Sequence, residues 1–436
     1  MFITNVTSDS TENGSSTYIV IDTGQTAFYD NSNEILPPDL GESFYGQDAQ
    51  YGGVQPVYQD NGDGTVTDLN TGLMWQQDPG GKMTWEEAVS GADTFTLAGY
   101  DDWRLPTIKE LYSLILFSGT DPSSFESVGD AVPFIDTYYF NFEYGDPSTG
   151  ERVIDSQYIS STAYVSTTMQ GDETAFGVNF ADGRIKGYGT GPMSGQTQDK
   201  EFFVLYVRGN INYGSNNFGD NGDGTITDLT TGFMWMRDDS GFFNIGDNGA
   251  LNWEQAFDWA ENLEYAGYSD WRLPNAKELH SIVDYAHSPA TTSSAAIDPI
   301  FKCTSIIDEG GETNYPFYWT STTHLHSQIG GSNAAYISFG EALGYMETPP
   351  NSGNYQLLDV HGAGAQRSDP KEGNPADYPY GRGPQGDVIR IYNHVRCVRG
   401  GDLVIIPEFS SMLISTILIT TMLVAIFLQK KSHMPI

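Results

Sequence analysis

Asp60-Asn61-Gly62-Asp63-Gly64-Thr65-Val66-Thr67-Asp68 returns later in the chain as Asp220-Asn221-Gly222-Asp223-Gly224-Thr225-Ile226-Thr227-Asp228. The residues after each copy repeat as well. A Thr-Gly-x-Met-Trp run ends at Trp75 and at Trp235, and Trp85-Glu86-Glu87-Ala88 is matched by Trp253-Glu254-Gln255-Ala256. Gly99-Tyr100-Asp101-Asp102-Trp103-Arg104-Leu105-Pro106 is matched by Gly267-Tyr268-Ser269-Asp270-Trp271-Arg272-Leu273-Pro274. Both copies close on Val-Arg-Gly, at Val207-Arg208-Gly209 and Val398-Arg399-Gly400. The chain therefore holds two homologous domains, 57–210 and 217–401, behind a polar segment at 1–56. Two copies are too few for a solenoid.

The repeated residues predict local structure. Asn-Gly and Asp-Gly pairs make tight turns, and the Thr-rich run and Leu73-Met74-Trp75 read as hairpin arms. Trp253, Ala256, Phe257, Ala260 and Leu263 share one helical face, as do Trp85, Ala88, Val89 and Ala92. A second helix starts after each Leu-Pro: Thr107 and Glu110 form a capping box, with Asn275 and Glu278 as its equivalent. The rest alternates short strands with glycine turns. The fold class is α+β, two helices on small irregular antiparallel sheets in each copy.

The 436 residues carry 57 acidic and 20 basic side chains, a net charge of −37. That charge argues against nucleic acid, polyanions and anionic lipid as partners, and it suits a soluble exposed surface. Two cysteines exclude a disulfide-dense scaffold and a four-cysteine zinc site. Residues 409–428 are uncharged and long enough for a transmembrane helix of about 30 Å, with Lys430 and Lys431 in a basic tail over 429–436. The expected location is the cell surface, anchored in the membrane with the body outside the cytoplasm. The N-terminus has no apolar secretory core, so a missing or removed export signal is expected, with a tail anchor facing the cytoplasm as the alternative. Sequons stand at Asn5 and Asn13.

Pro407-Glu408-Phe409, the apolar span and the basic tail together resemble the archaeal PEF-CTERM sorting signal, which implies a sorting enzyme as a partner. The ordered motifs of both copies resemble the Lcl C-terminal domain family. The Arg-Leu-Pro helix starts and the closing Arg396-Cys397-Val398-Arg399 are also similar to the formylglycine-generating enzyme family. These resemblances imply C-type-lectin-like domains, used mostly for binding and adhesion.

Each chemical reading has a plainer alternative. Asp60, Asp63 and Asp68, with Asp220, Asp223 and Asp228, suggest calcium. An EF-hand, however, needs a ligand at its first position, and with Gly224 as the loop glycine that position falls on Gly219. A plain hairpin turn is favoured, with another kind of calcium site as the alternative, and no other cofactor is expected. His324 and His326, two apart on a strand, would face the same side, where a metal could bind. Cys303 and Cys397 are the only cysteine pair that the formylglycine-type chemistry could use. An exported domain favours a structural disulfide between them.

The copies differ most late in each domain. Between Tyr188 and Val207 lie 18 residues (189–206), whereas between Tyr345 and Val398 lie 52 (346–397). So long a loop inside a domain is expected to be functional or disordered, with a structural flap over the domain junction as the alternative. His361, Gln366, Arg367 and Asp369 within it offer polar contacts, and Tyr378 and Tyr380 offer aromatic faces to a sugar. The expected function is non-catalytic binding of a surface glycan or protein. A structural envelope or matrix role is the alternative, and an enzyme comes third.

Overall fold

In the computed structural model, which describes residues 18–401 except 123, 125, 193–196 and 350, together with the backbone of 404–405, each repeated turn is built by its own side chains. Asp60 Oδ1 accepts the Gly62 N–H, and Asp63 Oδ1 accepts both N–H and O–H of Thr65. Gly62 and Gly64 hold φ of 72° and 88°, a region where a side chain is strained. Asp220, Asp223 and Thr225 repeat the same bonds in the second copy. The segments 1–17, 402–403 and 406–436 lie outside the described residues. The expected membrane span, its tail and both sequons fall there. Among the described residues no helix is long and apolar enough to cross a membrane.

The first copy runs β1 (Tyr58–Asp60), β2 (Thr65–Asp68), β3 (Leu73–Gln76), α1 (Trp85–Ala92), α2 (Ile108–Tyr112), β4 (Gln157–Thr168), β5 (Asp172–Asn179), β6 (Arg184–Gly189) and β7 (Val207–Gly209). The second runs β8 (Phe218–Asp220), β9 (Thr225–Asp228), β10 (Phe233–Met236), α3 (Trp253–Glu261), α4 (Ala276–Ser281), β11 (Phe317–His326), β12 (Gly330–Ser338), β13 (Leu343–Glu347), β14 (Tyr355–Asp359), β15 (Gln366–Pro370) and β16 (Val398–Gly400). In each copy the closing strand joins the opening hairpin in a four-stranded antiparallel sheet, β7-β3-β2-β1 and β8-β9-β10-β16. Both predicted capping boxes form, at Thr107/Glu110 and Asn275/Glu278, and two more start α1 and α3.

The Trp-Arg-Leu-Pro motif is scaffold. Trp103 and Trp271 are buried, and their indole N–H groups donate to Leu97 O and Tyr265 O. Arg208 pairs with Asp102 and lies over the Tyr100 ring at 3.7 Å; Arg399 does the same with Asp270 and Tyr268 at 3.8 Å. Arg104 and Arg272 make two-pronged bonds to Glu110 and Glu278, the capping carboxylates of the next helix.

The copies then join in a single body. A six-stranded antiparallel sheet has the order β11-β12-β15-β6-β5-β4. In the first copy β6 lies beside β5. In the second, the corresponding place beside β12 is taken by β15, a strand of the long insertion, and β13 turns out to pair with β14 instead. The far edge of β15 meets β6, with Ile185 opposite Gln366. One apolar core crosses the seam, taking Trp75, Leu111 and Tyr158 from one copy and Trp235, Leu279 and Tyr318 from the other. Helices α2 and α4 meet with local twofold character, Tyr112 and His280 facing each other at 4.4 Å. Lys109 Nζ donates to Ser281 O and Lys277 Nζ to Ser113 O, each cation placed at the C-terminal end of the other copy's helix, where the dipole favours it.

The N-terminal segment, polar by composition, is a strap over this seam. Tyr18, Ile21, Phe28 and Tyr29 are buried. Gln25 donates to the carbonyls of Phe117 and Thr323, one in each copy, and accepts the Thr323 N–H. Composition hid this because a few buried rings among many polar residues hold it down.

Candidate functional site: a charged cavity at the seam

Strand alternation turns Arg184, Lys186 and Tyr188 of β6 to one face of the six-stranded sheet, and Arg367 and Asp369 of β15 to the same face. Together with Asn333 and Tyr336 of β12 they line a cavity of about 980 Å³, with the insertion residues 382–385 and Asp387 along its wall. Small-molecule sites commonly span about 300–1,000 Å³. The backbones come close here. Gly187 N–H donates to His361 O at 2.8 Å, and a Cβ on Gly187 would stand 2.7 Å from that oxygen.

The cavity's charge balance differs from the rest of the chain. Six of the 20 basic residues line it (Arg152, Arg184, Lys186, Lys200, Arg367 and Arg382), against six of the 57 acidic ones (Asp121, Asp172, Asp182, Glu347, Asp369 and Asp387). Burial pushes the Asp369 carboxyl up to about 8. Burial also lowers Lys186 and Lys200, each to about 8. Asp387 is opposed by burial, but Arg367 and His361 outweigh that and hold its carboxyl well below the usual range. Burial and the neighbouring Arg367 bring His361 down to about 4, so its ring is neutral, and its Nε2–H donates to Asp387 Oδ1 at 2.9 Å.

Several fully buried polar atoms of these lining residues have no hydrogen-bond partner. They are Nε and Nη1 of Arg367, Oδ1 of Asp182, Oη of Tyr188 and Oδ1 of Asn333. Their residues are 9, 1, 8 and 6% exposed. Arg367 bonds Asp387 through Nη2, and Asp182 Oδ2 accepts from Lys186 at 2.8 Å and pairs with Arg184 Nη1 at 3.5 Å. Arg184 ties the copies together, bonding Asp121 at 2.6 Å and Ser368 Oγ at 3.0 Å.

The structure brings His361, Arg367 and Asp369 to the cavity and sends the other expected ligand residues elsewhere. Gln366 points to the core, accepting from Tyr112 Oη at 3.3 Å, because it alternates with Arg367. Tyr380 stacks on Tyr355 at 4.1 Å away from the cavity, and Tyr378, half-buried, is not part of its lining. Arg184, Lys186, Tyr188 and Asn333 went unnoticed in the sequence. One signal for them existed: when Gly187-Tyr188 is aligned with Gly344-Tyr345, Arg184 and Lys186 stand where the second copy has Glu341 and Leu343.

Other expectations resolve locally. The expected disulfide does not form: Cys303 and Cys397 are free thiols. Arg396 reaches Cys303 Sγ at 3.4 Å, so its strand neighbour Cys397 points the other way, into the second copy's own core. His324 and His326 are separated by a register shift in β11. His324 is stacked on Phe134 at 5.4 Å and bonded to Asp182 O, while His326 Nδ1 accepts the Gln328 N–H. The aspartates of the calcium reading serve turns. Asp68 accepts the Asn70 N–H beyond the far end of β2, and Asp228 accepts from Asn216, Asn217, Thr230 and Thr231. Among the described residues no three His, Cys, Asp or Glu groups are placed to hold a metal.

Two copies of one α+β unit, joined through an inserted strand, define a tandem-repeat protein with its cavity at the repeat boundary. The Lcl C-terminal domain family model matches it twice, at residues 64–208 and 224–360, and the chain belongs to that family. The second match stops at residue 360, just before the segment that supplies β15. No curated protein and no solved structure gave a match.

Proposed function

We propose that this is a non-catalytic binding protein displayed at the cell surface, with its ligand site in the seam cavity. The observation that carries this reading is the cavity itself, about 980 Å³ and lined by charged and polar side chains of both copies. The non-catalytic reading is supported by the commitment of His361 to Asp387 and by both thiols lying outside the lining residues. The likeness to C-type-lectin-like domains, whose ligands meet a loop ahead of the last strands, supports a role for the second copy's insertion. Surface display rests on the apolar run 409–428 and the PEF-CTERM-like tail.

A glycan and small-metabolite array probed with the full chain tests the binding reading, scored beside Arg367→Lys. Specific capture that weakens in the folded variant supports the seam site; capture unchanged in the variant places the ligand elsewhere. Removing everything after Asp402 is expected to release the protein from the membrane fraction. An unchanged distribution between fractions would sink the tethering claim.

A further inference from the structure

Each copy has a small pocket at the same place, beside the C-terminal turn of α1 and of α3, and the two are lined differently. In the first copy the pocket holds about 320 Å³ and no charged residue lines it. In the second it holds about 420 Å³, within the range of small-ligand sites. Position for position, Ser90, Gly91 and Thr96 become Asp258, Trp259 and Glu264. A further change makes room for the tryptophan. A Cβ on Gly91 would stand 2.8 Å from the Tyr206 hydroxyl, and the second copy has Cys397 where the first has Tyr206. The first copy builds the same fold without these side chains, so they are free to carry function.

The new side chains agree on the charge of a ligand. Asp258 and Glu264 are exposed, no basic residue lines the pocket with them, and among the described residues neither forms an ion pair. Asp258 lies in the last turn of α3 and Glu264 just beyond its end. That is the negative end of the helix dipole, where a cation is favoured, and the turn has no basic residue of its own. Trp259 is half-buried and packed against the Phe243 ring at 5.4 Å, and an indole is the strongest aromatic partner for a cation. Leu251 and Leu263 add apolar wall. An anion would be repelled by both carboxylates and by the net charge of −37. A neutral sugar would leave the carboxylates and the helix end without a counter-charge. A metal ion is poorly served, since among the described residues no three His, Cys, Asp or Glu groups are placed to hold one.

We propose that this pocket of the second copy binds an organic ammonium group, its charge against the Trp259 indole, Asp258 and Glu264 and its carbon substituents against Leu251 and Leu263. The site shares no lining residue with the seam cavity and stands or falls without it. A free quaternary amine and a lysine side chain of a partner protein offer the same chemistry, and the experiment separates the two.

Calorimetric titration of the full chain at low salt with choline, its uncharged isostere 3,3-dimethyl-1-butanol and Nα-acetyl-lysine methylamide tests the proposal. Trp259→Leu and the double variant Asp258→Asn/Glu264→Gln are compared with the parent after their melting curves establish folding. Both carboxylates are exposed, so the double variant keeps the test alive if Trp259→Leu fails to fold. The expected result is binding of choline, with the isostere weaker by about threefold or more and each folded variant weakened to a similar degree, the scale of one cation–π contact. Added salt should weaken choline binding further. Binding of the lysine derivative, beside choline or instead of it, marks a protein side chain, and choline alone marks a small quaternary amine; either supports the proposal. Equal binding of choline and its isostere, ammonium binding unchanged in either folded variant, or no binding of either ammonium overturns it.

Discussion

Glu278→Ala should destabilise the protein by about 3–5 kcal/mol, and Glu110→Ala by less, about 1–3 kcal/mol. Both carboxylates do the same two tasks. Each closes a capping box, and each accepts two bonds from the arginine six residues before it. The surroundings differ. The Arg272 side chain is 6% exposed, so removing Glu278 leaves an uncompensated buried charge, whereas Arg104 is 29% exposed and water can replace its partner. Glu278→Gln keeps the cap and should fall between the two. Chemical denaturation of the three variants checks the order. Equal losses at 278 and 110 would show that the cap, not the buried pair, carries the energy.

The second large effect depends on pH. Asp48 of the N-terminal strap is buried and accepts hydroxyl bonds from Thr23 and Thr322. Burial, then the charge of Asp22, pushes its carboxyl up to about 7. The folded-state value therefore lies above the unfolded one. Below about pH 4 both states are protonated and Asp48 has no effect on stability. From there to about pH 7 the unfolded chain releases its proton first, so stability falls as pH rises, and the full cost is present at pH 8. Asp48→Asn keeps an acceptor oxygen without the charge and should stabilise by about 2–4 kcal/mol at pH 8 and by almost nothing at pH 4. Nearby Lys277, lowered to about 7 by burial, works in the opposite sense, and stability rises with pH between about 7 and 10 on its account. The difference between variant and parent isolates Asp48. A gain of equal size at both pH values would show that it is not due to ionisation.

The parts of the fold that were legible depend on neighbours in sequence. The turn aspartates, the capping boxes and the tryptophans beside each Leu-Pro interact within a few residues, so pattern alone places them. The central strand β15 was not legible. Its Gln366-Arg367-Ser368-Asp369-Pro370 carries no apolar alternation, because one face meets a charged cavity and the other presents Gln366 to Tyr112. Its partners are fixed by pairing with β6, more than 170 residues earlier. The insertion was correctly marked as the place where the copies diverge, and three of its six expected ligand residues reach the cavity. The other half of the site lies in the first copy, where only comparing Arg184 and Lys186 with Glu341 and Leu343 could have exposed it. Shortening 347–389 to the first copy's length would therefore delete a central strand and open two sheet edges, so it cannot test ligand binding in a folded protein.

Everything proposed for the cavity requires that β15 be a core strand joining the copies. Amide hydrogen exchange across Gln366–Pro370 measures this directly. The account expects protection comparable with β5 and β12, far above that of the exposed residues 372–377 in the same insertion. Exchange over 366–370 as fast as over 372–377 would mean that the insertion is an open loop, and the seam cavity would lose its floor.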